Sequence, residues 1–553
     1  MWTMTTSARD RVRGAIPEEV DVAIVGSGLG ALVAAANLAQ RGLRVACFEA
    51  HTVAGGCATH FARGPKADRY RFDIGLHYIG DCGPRGAIPR MLHNVGIALD
   101  FVPMDPDGFD TLVFPDLEFR IPSNVDVYRD RLVALFPHER RGIDKYVRLL
   151  RQVMRASARL DKSGGRMGLK DAFAMAFDLV GLGRNQNRTI AAVLDDCVRD
   201  PRLRAVILGQ SGDYGVPPSE ASAFLHMGLA GHYFRGAYYP KGGGQIIADK
   251  LVEAIEKSGG SVHLGRPVER IIVRDGKATG VRLEAKAGGA PIDVRARVVL
   301  SNADIRLTFE RLIGLEHLPA SWAARVPNFK MASALFMTFL GIRGDMRTRG
   351  MRPSNYWQFD SYDVEGAYAD APGRIRSHGC YITSASMKDP DSAAHHAPPG
   401  ITNVEVMTLV PGQNARWHVA DDDAERFRYK DNEAYRAQKS ALEEEMVNRL
   451  ETLFPGSRDA IVFRESASPV SHHRYTRATD GTGYGLAATP AQFMKNRPGY
   501  RGPLGDLYLC GASTRAGHGI VGSMMSGEQA AKRILSDLGR HDLGKRDSAK
   551  IAS

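Results

Sequence analysis

The sequence predicts an α/β fold in which a parallel sheet flanked by helices is interleaved with a second, α+β domain. Three observations carry this prediction. An apolar run at 21–25 leads straight into Gly26-Ser27-Gly28-Leu29-Gly30-Ala31; a second apolar run ends on Glu49; and a third, at 507–510, runs into Gly511 near the other end of the chain. Each pairs a buried strand with a turn able to receive a phosphate-bearing ligand, the pattern of a Rossmann-type domain.

Taken in order, residues 21–25 read as a central parallel strand buried on both faces, because the run does not alternate with polar residues. Gly26 permits the tight turn, Gly28 lets backbone amides approach a pyrophosphate, and Ala31 keeps helix and strand close. The helix predicted over 31–41 is rich in Ala and Leu, and its N-terminus offers unpaired N–H groups to phosphate oxygens. Gly42 ends it, and 43–48 forms the second strand. Glu49 then stands about 20 residues beyond the glycines, where an acid hydrogen-bonds the ribose hydroxyls.

The next segment decides which dinucleotide. Ala50 is followed by His51-Thr-Val-Ala-Gly55-Gly56-Cys57, a glycine pair that lets backbone pass beside the long pyrophosphate and ribityl chain of FAD. Gly75 and Gly80 lie in a second such stretch, Phe72-Asp-Ile-Gly75-Leu76-His77-Tyr78-Ile-Gly80. Near the far end, Gly511-Ala512 and the glycines 517, 519 and 522 precede a helix predicted over 523–538, a second N-terminus for cofactor oxygens.

Between these lie a helix over 246–257 and strands over 261–264 and 268–273. A turn at Asp275-Gly276 leads to a strand from Gly280, and another strand ends at 298–301. The expected organisation is therefore interleaved. Residues 21–90, 236–304 and 491–540 form the FAD domain, and 91–235 and 305–490 the substrate domain. A leader at 1–20 and a polar, mobile tail at 541–553 flank them. The apolar runs at 332–342 and 402–409 suit a sheet roofing the cofactor.

Composition narrows the class. With 553 residues, 44% hydrophobic and 24% charged, the chain has material for a large core and exceeds one core's usual size. No apolar run approaches the length of a spanning helix. The six cysteines are scattered without C-x-x-C spacing, which predicts single thiols in a cytoplasmic setting. The net charge of +11 comes without a nucleic-acid-binding motif, so no nucleic-acid partner is expected. A basic amphipathic helix over 141–162, with a second apolar stretch at 172–182, raises two readings. It rests on an anionic membrane surface as a peripheral anchor, or it packs its apolar face on the core with Arg and Lys solvated.

The motifs GSGLGA at 26–31, AGGC at 54–57, FDIGLHYIG at 72–80, AYYPKGGGQ at 237–245, SNAD at 301–304 and LYLCGAS at 507–513 resemble the phytoene desaturase, carotenoid isomerase and retinol saturase superfamily. The HT-x-AGGC and HYIG pairs are most similar to the retinol saturase branch. The resemblance spans about residues 20–540. It implies FAD contacts at Gly26, Ser27, Gly28, Leu29, Gly30, Ala31, Glu49, Ala50, Gly55, Gly56, Cys57, Gly75, Leu76 and His77. Further contacts are implied at Val268, Asn302, Gly511, Ala512, Ile520, Val521 and Gly522. The chain departs from the desaturase pattern at 513–522, where it reads STRAGHGIVG.

The implied chemistry is hydride exchange at flavin N5 with a carbon–carbon double bond of a lipophilic retinoid, carotenoid or other isoprenoid, a saturase-type reduction. A proton must reach the second carbon, and motif position nominates His77, Tyr78, Tyr239 and His518. Each also has a packing role: His77 and Tyr78 against the flavin loop, Tyr239 as pocket wall, His518 bonding backbone. Cys57 reads as a small residue beside the pyrophosphate rather than a redox thiol. His472-His473 lack a completing ligand, so no metal site is expected. No second G-x-G-x-x-G follows a strand, which leaves an external electron donor or acceptor as a partner. The competing activities are a desaturase or cis–trans isomerase, an FAD-dependent amine oxidase, and a non-catalytic flavin-binding assembly factor.

Overall fold

The structure is a computed structural model and describes residues 15–65, 68–163, 183, 185–285, 289–370 and 372–551. Most of the expected leader and the apolar stretch at 172–182 lie outside the described residues.

The strand Glu19–Val25 begins two residues earlier than its motif and sits at the centre of a seven-stranded sheet. It pairs in parallel with Val45–Phe48 on one side and with Ile292–Ser301 on the other. Ser261–His263 extends the sheet beyond Val45–Phe48, and Leu507–Leu509 lies parallel to the last residues of Ile292–Ser301. The first half of that long strand instead carries an antiparallel meander, Val268–Arg274 and Lys277–Leu283. Asp275 (φ 48°) and Gly276 (φ 71°) turn its hairpin, the left-handed pair that a two-residue turn requires.

Burial follows the period of two. Val22 and Ile24 face the helices Leu29–Ala39, Gln245–Lys257 and Gly519–Ile551; Ala23 and Val25 face the meander and residues 305–329. Both faces are covered, which is why the strand reads as a continuous apolar run. The last helix runs on to Ile551, so the backbone expected as a mobile tail from 541 continues it.

A second seven-stranded sheet is mostly antiparallel, in the order Ile461–Ala467, Ala334–Arg343, Ile401–Val410, Gly379–Thr383, Asn355–Phe359, Asp110–Phe114, Leu117–Ile121. Its two end strands at 110–121 come from a part of the chain distant in sequence, and Asp110–Phe114 joins Asn355–Phe359 in parallel. On Ala334–Arg343, Phe336, Leu340 and Ile342 pack against the helix Glu433–Leu453. Leu335, Met337 and Phe339 point the other way and line a cavity between the two sheets. The strand Ala237–Pro240 belongs to neither large sheet: it bridges Ile79–Gly80 and Phe101–Pro103.

The helix Arg140–Ser163 settles part of the amphipathic question. Ile143, Tyr146, Val147, Leu150 and Val153 are buried in the core beneath the second sheet, while Arg141, Lys145, Arg148 and Arg155 face solvent. Its apolar face is thus occupied by protein, and only its basic face is left for a surface contact. Side chains from 160 onward lie outside the described residues. Among the described residues no helix is long and apolar enough to cross a membrane. All six cysteines are free thiols.

Candidate functional site

The carboxyl ends of all five parallel strands meet at one edge of the first sheet, where ligands of open α/β sheets bind. The helix Leu29–Ala39 starts there with Gly28 as its N-cap and no side chain capping its first amides. Those amides are left for an anion. Gly26 (φ 88°) makes the left-handed turn off the strand. A Cβ on Gly28 would lie 2.5 Å from Asn302 Nδ2, and one on Gly30 2.9 Å from the Ser523 carbonyl oxygen. The glycines therefore admit Asn302 and the last helix as well as a ligand, and the tight packing position is Gly30 rather than Ala31.

Glu49 stands at the end of the second strand. Its carboxylate accepts from the Ser27 amide (2.8 Å), the Ser27 hydroxyl (2.7 Å) and the His51 amide (2.8 Å). Three donors on one acid orient it. Gly55 N–H donates to the Ser27 carbonyl (2.9 Å), which lays the glycine pair beside the first loop.

From this cradle one continuous cavity of about 3210 Å³ runs under the second sheet. Drug-sized pockets occupy roughly 300–1,000 Å³, so there is room for a dinucleotide and a long second ligand end to end. The dinucleotide half is lined by 25–30, 48–53, 55–57, 267–268, 302–304 and 510–513; Ile520, Val521 and Gly522 stand beside it. The other half is apolar and aromatic, with Leu335, Met337, Phe339, Met407, Leu409 and Trp357 on its walls.

Three of the four expected proton carriers, His77, Tyr78 and His518, line this cavity. His77 faces the cavity, with Nδ1 2.8 Å from Glu405 Oε2 but off the line of an N–H bond. Its carbonyl accepts from Lys388 Nζ. Tyr78 stacks on Tyr233 (4.4 Å between centroids), and its hydroxyl sits between Asp110 Oδ2 (3.0 Å) and Asp213 Oδ2 (2.6 Å). Asp110 also accepts from Asn355 Nδ2 (2.8 Å), Gln210 Nε2 (2.7 Å) and Trp357 Nε1 (3.1 Å). Burial pushes the Asp213 carboxyl up to about 8, helped by the neighbouring Asp110 charge.

His518 is on the cavity wall and bonds the Asp213 backbone. Burial holds its imidazole down to about 3, so it is neutral at pH 7 and carries no cationic proton to give. Its Nδ1 is buried without a partner among the described residues, a polar atom left for a ligand. Burial also raises the Cys57 thiol to about 11, which suppresses thiolate chemistry; its sulfur lies 3.8 Å from His472 Nε2.

Two family models match the chain: an NAD(P)-binding Rossmann-like domain over residues 24–95 and a flavin containing amine oxidoreductase over 383–535. The all-trans-retinol 13,14-reductase of Danio rerio is 28% identical over 521 residues, covering 90% of this chain and 83% of that protein. Prolycopene isomerase 1 of an Oncidium hybrid cultivar is 25% identical over 533 residues, covering 94% and 85%. Among solved structures, an oxidoreductase from Methanosarcina mazei superposes with a TM-score of 0.60 at 18% identity, covering 93% of this chain and all of that one. Putrescine oxidase bound to putrescine gives 0.58 at 16%, covering 94% and 99%. The structural likenesses speak for the fold.

The family matches and the relatives together liken the chain to FAD-dependent oxidoreductases.

In this flavoprotein the cradle suits its cofactor FAD: uncapped helix amides for the pyrophosphate, an oriented acid for a ribose, and an orphaned ring nitrogen further along. Three residues named from motifs do not line the cavity. Ala31 and Leu76 are buried behind its wall, where helix packing and contact with Gly244 hold them. Tyr239, nominated as a proton carrier, is likewise enclosed: its hydroxyl donates to Asp73 and Lys388 stands 4.7 Å over its ring. Its neighbour Tyr238, on the strand's other face, does not line the cavity either.

Motif reading passed over Asp110, Asp213, Glu405 and Arg497. Arg497 is almost fully buried, and its guanidinium donates to the carbonyls of Leu486 and Ala512 (both 2.8 Å) behind the Gly511 turn. None of these four sits in a glycine-rich signature, and what unites them is tertiary position.

Proposed function

We propose that this flavoprotein reduces a carbon–carbon double bond of a long lipophilic polyene, of the retinoid, carotenoid or isoprenoid class. The observation that carries the reading is the continuous cavity of about 3210 Å³, which joins a dinucleotide cradle to an apolar, aromatic-walled chamber with volume for a polyene. Similarity to proteins named all-trans-retinol 13,14-reductase and prolycopene isomerase over nine-tenths of the chain supports it.

FAD, when bound, supplies two-electron hydride exchange at N5. The chain supplies the rest. Residues 26–30, Glu49, Gly55 and Gly56 hold the dinucleotide, and the 511–522 segment borders it. Leu335, Met337, Phe339, Met407 and Leu409 exclude water from the second ligand and align it by shape alone, as an apolar substrate requires. His77 is steadied from behind by Glu405 and Lys388 and stands at the junction of the two halves.

Incubating the dithionite-reduced holoenzyme with all-trans-retinol and with carotenoids, followed by mass spectrometry, tests the reading. The expected product is heavier by two hydrogens. Loss of two hydrogens would mean a desaturase, and an unchanged mass with altered retention would mean the isomerase that the second group of relatives suggests. Peroxide release with amines would favour an amine oxidase.

Two partners complete the proposal. An external donor of electrons is required to re-reduce the flavin. The basic face of Arg140–Ser163 is offered to anionic lipid, from which a lipophilic substrate would be drawn. Charge reversal at Arg148, Arg155 and Arg159 should then weaken co-sedimentation with phosphatidylserine vesicles; unchanged sedimentation would dismiss the membrane contact.

A further inference from the structure

The tight turn Ser211–Asp213 is pressed into the cavity wall from behind. A Cβ on Gly212 would lie 2.5 Å from the Trp357 ring, and the Gly212 carbonyl accepts from Tyr484 Oη (2.6 Å). His518, two residues before the Ile520–Gly522 stretch that stands at the dinucleotide half, bonds the Asp213 backbone. These contacts hold Asp213 in the cavity wall, with Gly212 and Asp213 both on its surface.

A count of hydrogens then constrains the carboxyl. Tyr78 Oη makes two short oxygen–oxygen contacts, to Asp213 (2.6 Å) and to Asp110 (3.0 Å), yet a phenol has one hydrogen. One hydrogen serves both contacts poorly, and a second on one of the two acids would complete the set. Asp110 already accepts from three N–H groups, an arrangement that satisfies a carboxylate and that an acid proton would crowd. Burial raises both acids, but the N–H donors pull Asp110 back down, whereas Asp213 has only the hydroxyls of Tyr78 and Tyr233 beside it; the proton is assigned to Asp213.

We propose that Asp213 is a catalytic residue of the double-bond reduction: its carboxylic acid, backed by Tyr78 and Asp110, gives the proton that the second substrate carbon takes up. The inference rests on the reductase reading above. In the step, the π bond breaks. A reduced flavin held in the cradle would supply the hydride, with both electrons, to one carbon. The adjacent carbon forms its C–H bond as the Asp213 O–H bond breaks. Asp213 is left a carboxylate, Tyr78 turns its hydrogen toward it, and water later restores the lost proton.

The surroundings favour an acid that stays protonated at neutral pH. Asp110, raised by burial but pulled down by its donors, faces it, the Tyr233 hydroxyl bonds it, and Tyr78, Tyr233, Tyr368, Tyr381 and Tyr484 surround it, each held neutral because burial raises its phenol. His518 adds no positive charge, being neutral itself. Lys388 stands beyond Asn355, nearer Asp110 than Asp213. A carboxyl raised to about 8 is protonated below that pH, so proton delivery is intact at pH 7 and fails as pH rises through about 8.

The test uses the FAD holoenzyme of the wild type, Asp213→Asn and Asp213→Glu, with flavin absorbance confirming that the cofactor is retained. Infrared spectra without substrate should show a protonated carboxylic acid band at pH 7 that titrates away through about pH 8 and is missing in Asp213→Asn. Absence of that band from the wild type overturns the proposal with no turnover needed. With a polyene that the wild type reduces, Asp213→Asn should lower kcat roughly 10²- to 10⁴-fold, with a pH profile flat through 8. Asp213→Glu, which keeps the acid, should recover at least about a tenth of the rate, as expected for a general acid moved slightly out of place. Wild-type rates and pH profile in Asp213→Asn would sink the proposal alone. A wild type that adds hydrogen to no polyene would sink the reductase reading instead.

Discussion

Gly28→Ala separates two reasons for a glycine in the dinucleotide loop. In the motif reading, Gly28 is small so that ligand can approach the backbone. In the structure, the new methyl would lie 2.5 Å from Asn302 Nδ2 and 3.5 Å from its Cγ. Ordinary contact begins near 3.5 Å, so the overlap with the amide nitrogen is about 1 Å. Asn302 cannot simply retreat, because the space beside it is already filled by Gly30 and Gly511, whose own added Cβ atoms would fall 2.8 Å from its Oδ1. Overpacking of this kind costs about 1–3 kcal/mol. If the strain is relieved by shifting the loop that holds the cofactor, FAD binds about 10- to 100-fold more weakly. The assay is the FAD dissociation constant from flavin fluorescence for the wild type, Gly28→Ala, Asn302→Ala and the double variant. Removing the Asn302 amide should recover most of the loss, giving a coupling of about 1–2 kcal/mol between the two positions. Additivity, with the double variant no better than the sum of the singles, would refute the packing argument and return Gly28 to a ligand-only role.

Two further outcomes follow from the buried polar groups. Asp110→Ala would orphan Gln210, Asn355 and Trp357 N–H groups at once; at about 1–3 kcal/mol for each unmet group the holoenzyme should release FAD at markedly lower urea, and an unchanged midpoint would contradict the network. Burial depresses His226, bonded to Tyr146 and Tyr214, to about 4. A histidine that binds its proton more readily when unfolded contributes full stability above about pH 6.5 and loses it progressively toward pH 4. Urea midpoints should therefore fall between pH 7 and pH 5, and less steeply in His226→Gln; equal slopes would remove His226 from the account.

The dinucleotide half was legible because its chemistry is local. A strand, a turn, a helix start and an acid lie within about thirty residues, the span of one βαβ unit, and each obeys a backbone rule. The apolar runs at 332–342 and 402–409 announced the roofing sheet for the same reason. Its edge did not announce itself: Asp110–Phe114, with its hairpin partner Leu117–Ile121, pairs with Asn355–Phe359 more than two hundred residues later, and no local pattern records such a partner. The proton carriers illustrate the limit. Tyr239 stands in a recognisable motif but faces away from the cavity, whereas Asp213 stands in Ser211-Gly-Asp-Tyr-Gly215 with no signature and faces into it.

What the sequence determined by itself was the cofactor and the surface that grips it, since glycine geometry, helix ends and a ribose acid act over short stretches of chain. What only the tertiary structure decided was which acid meets the substrate and whether it holds a proton. That depends on Tyr78, Asp110 and Asp213, drawn from three distant segments into one water-poor corner. A carboxyl's charge there is set by its neighbours and its burial, which are properties of the fold and not of any local motif.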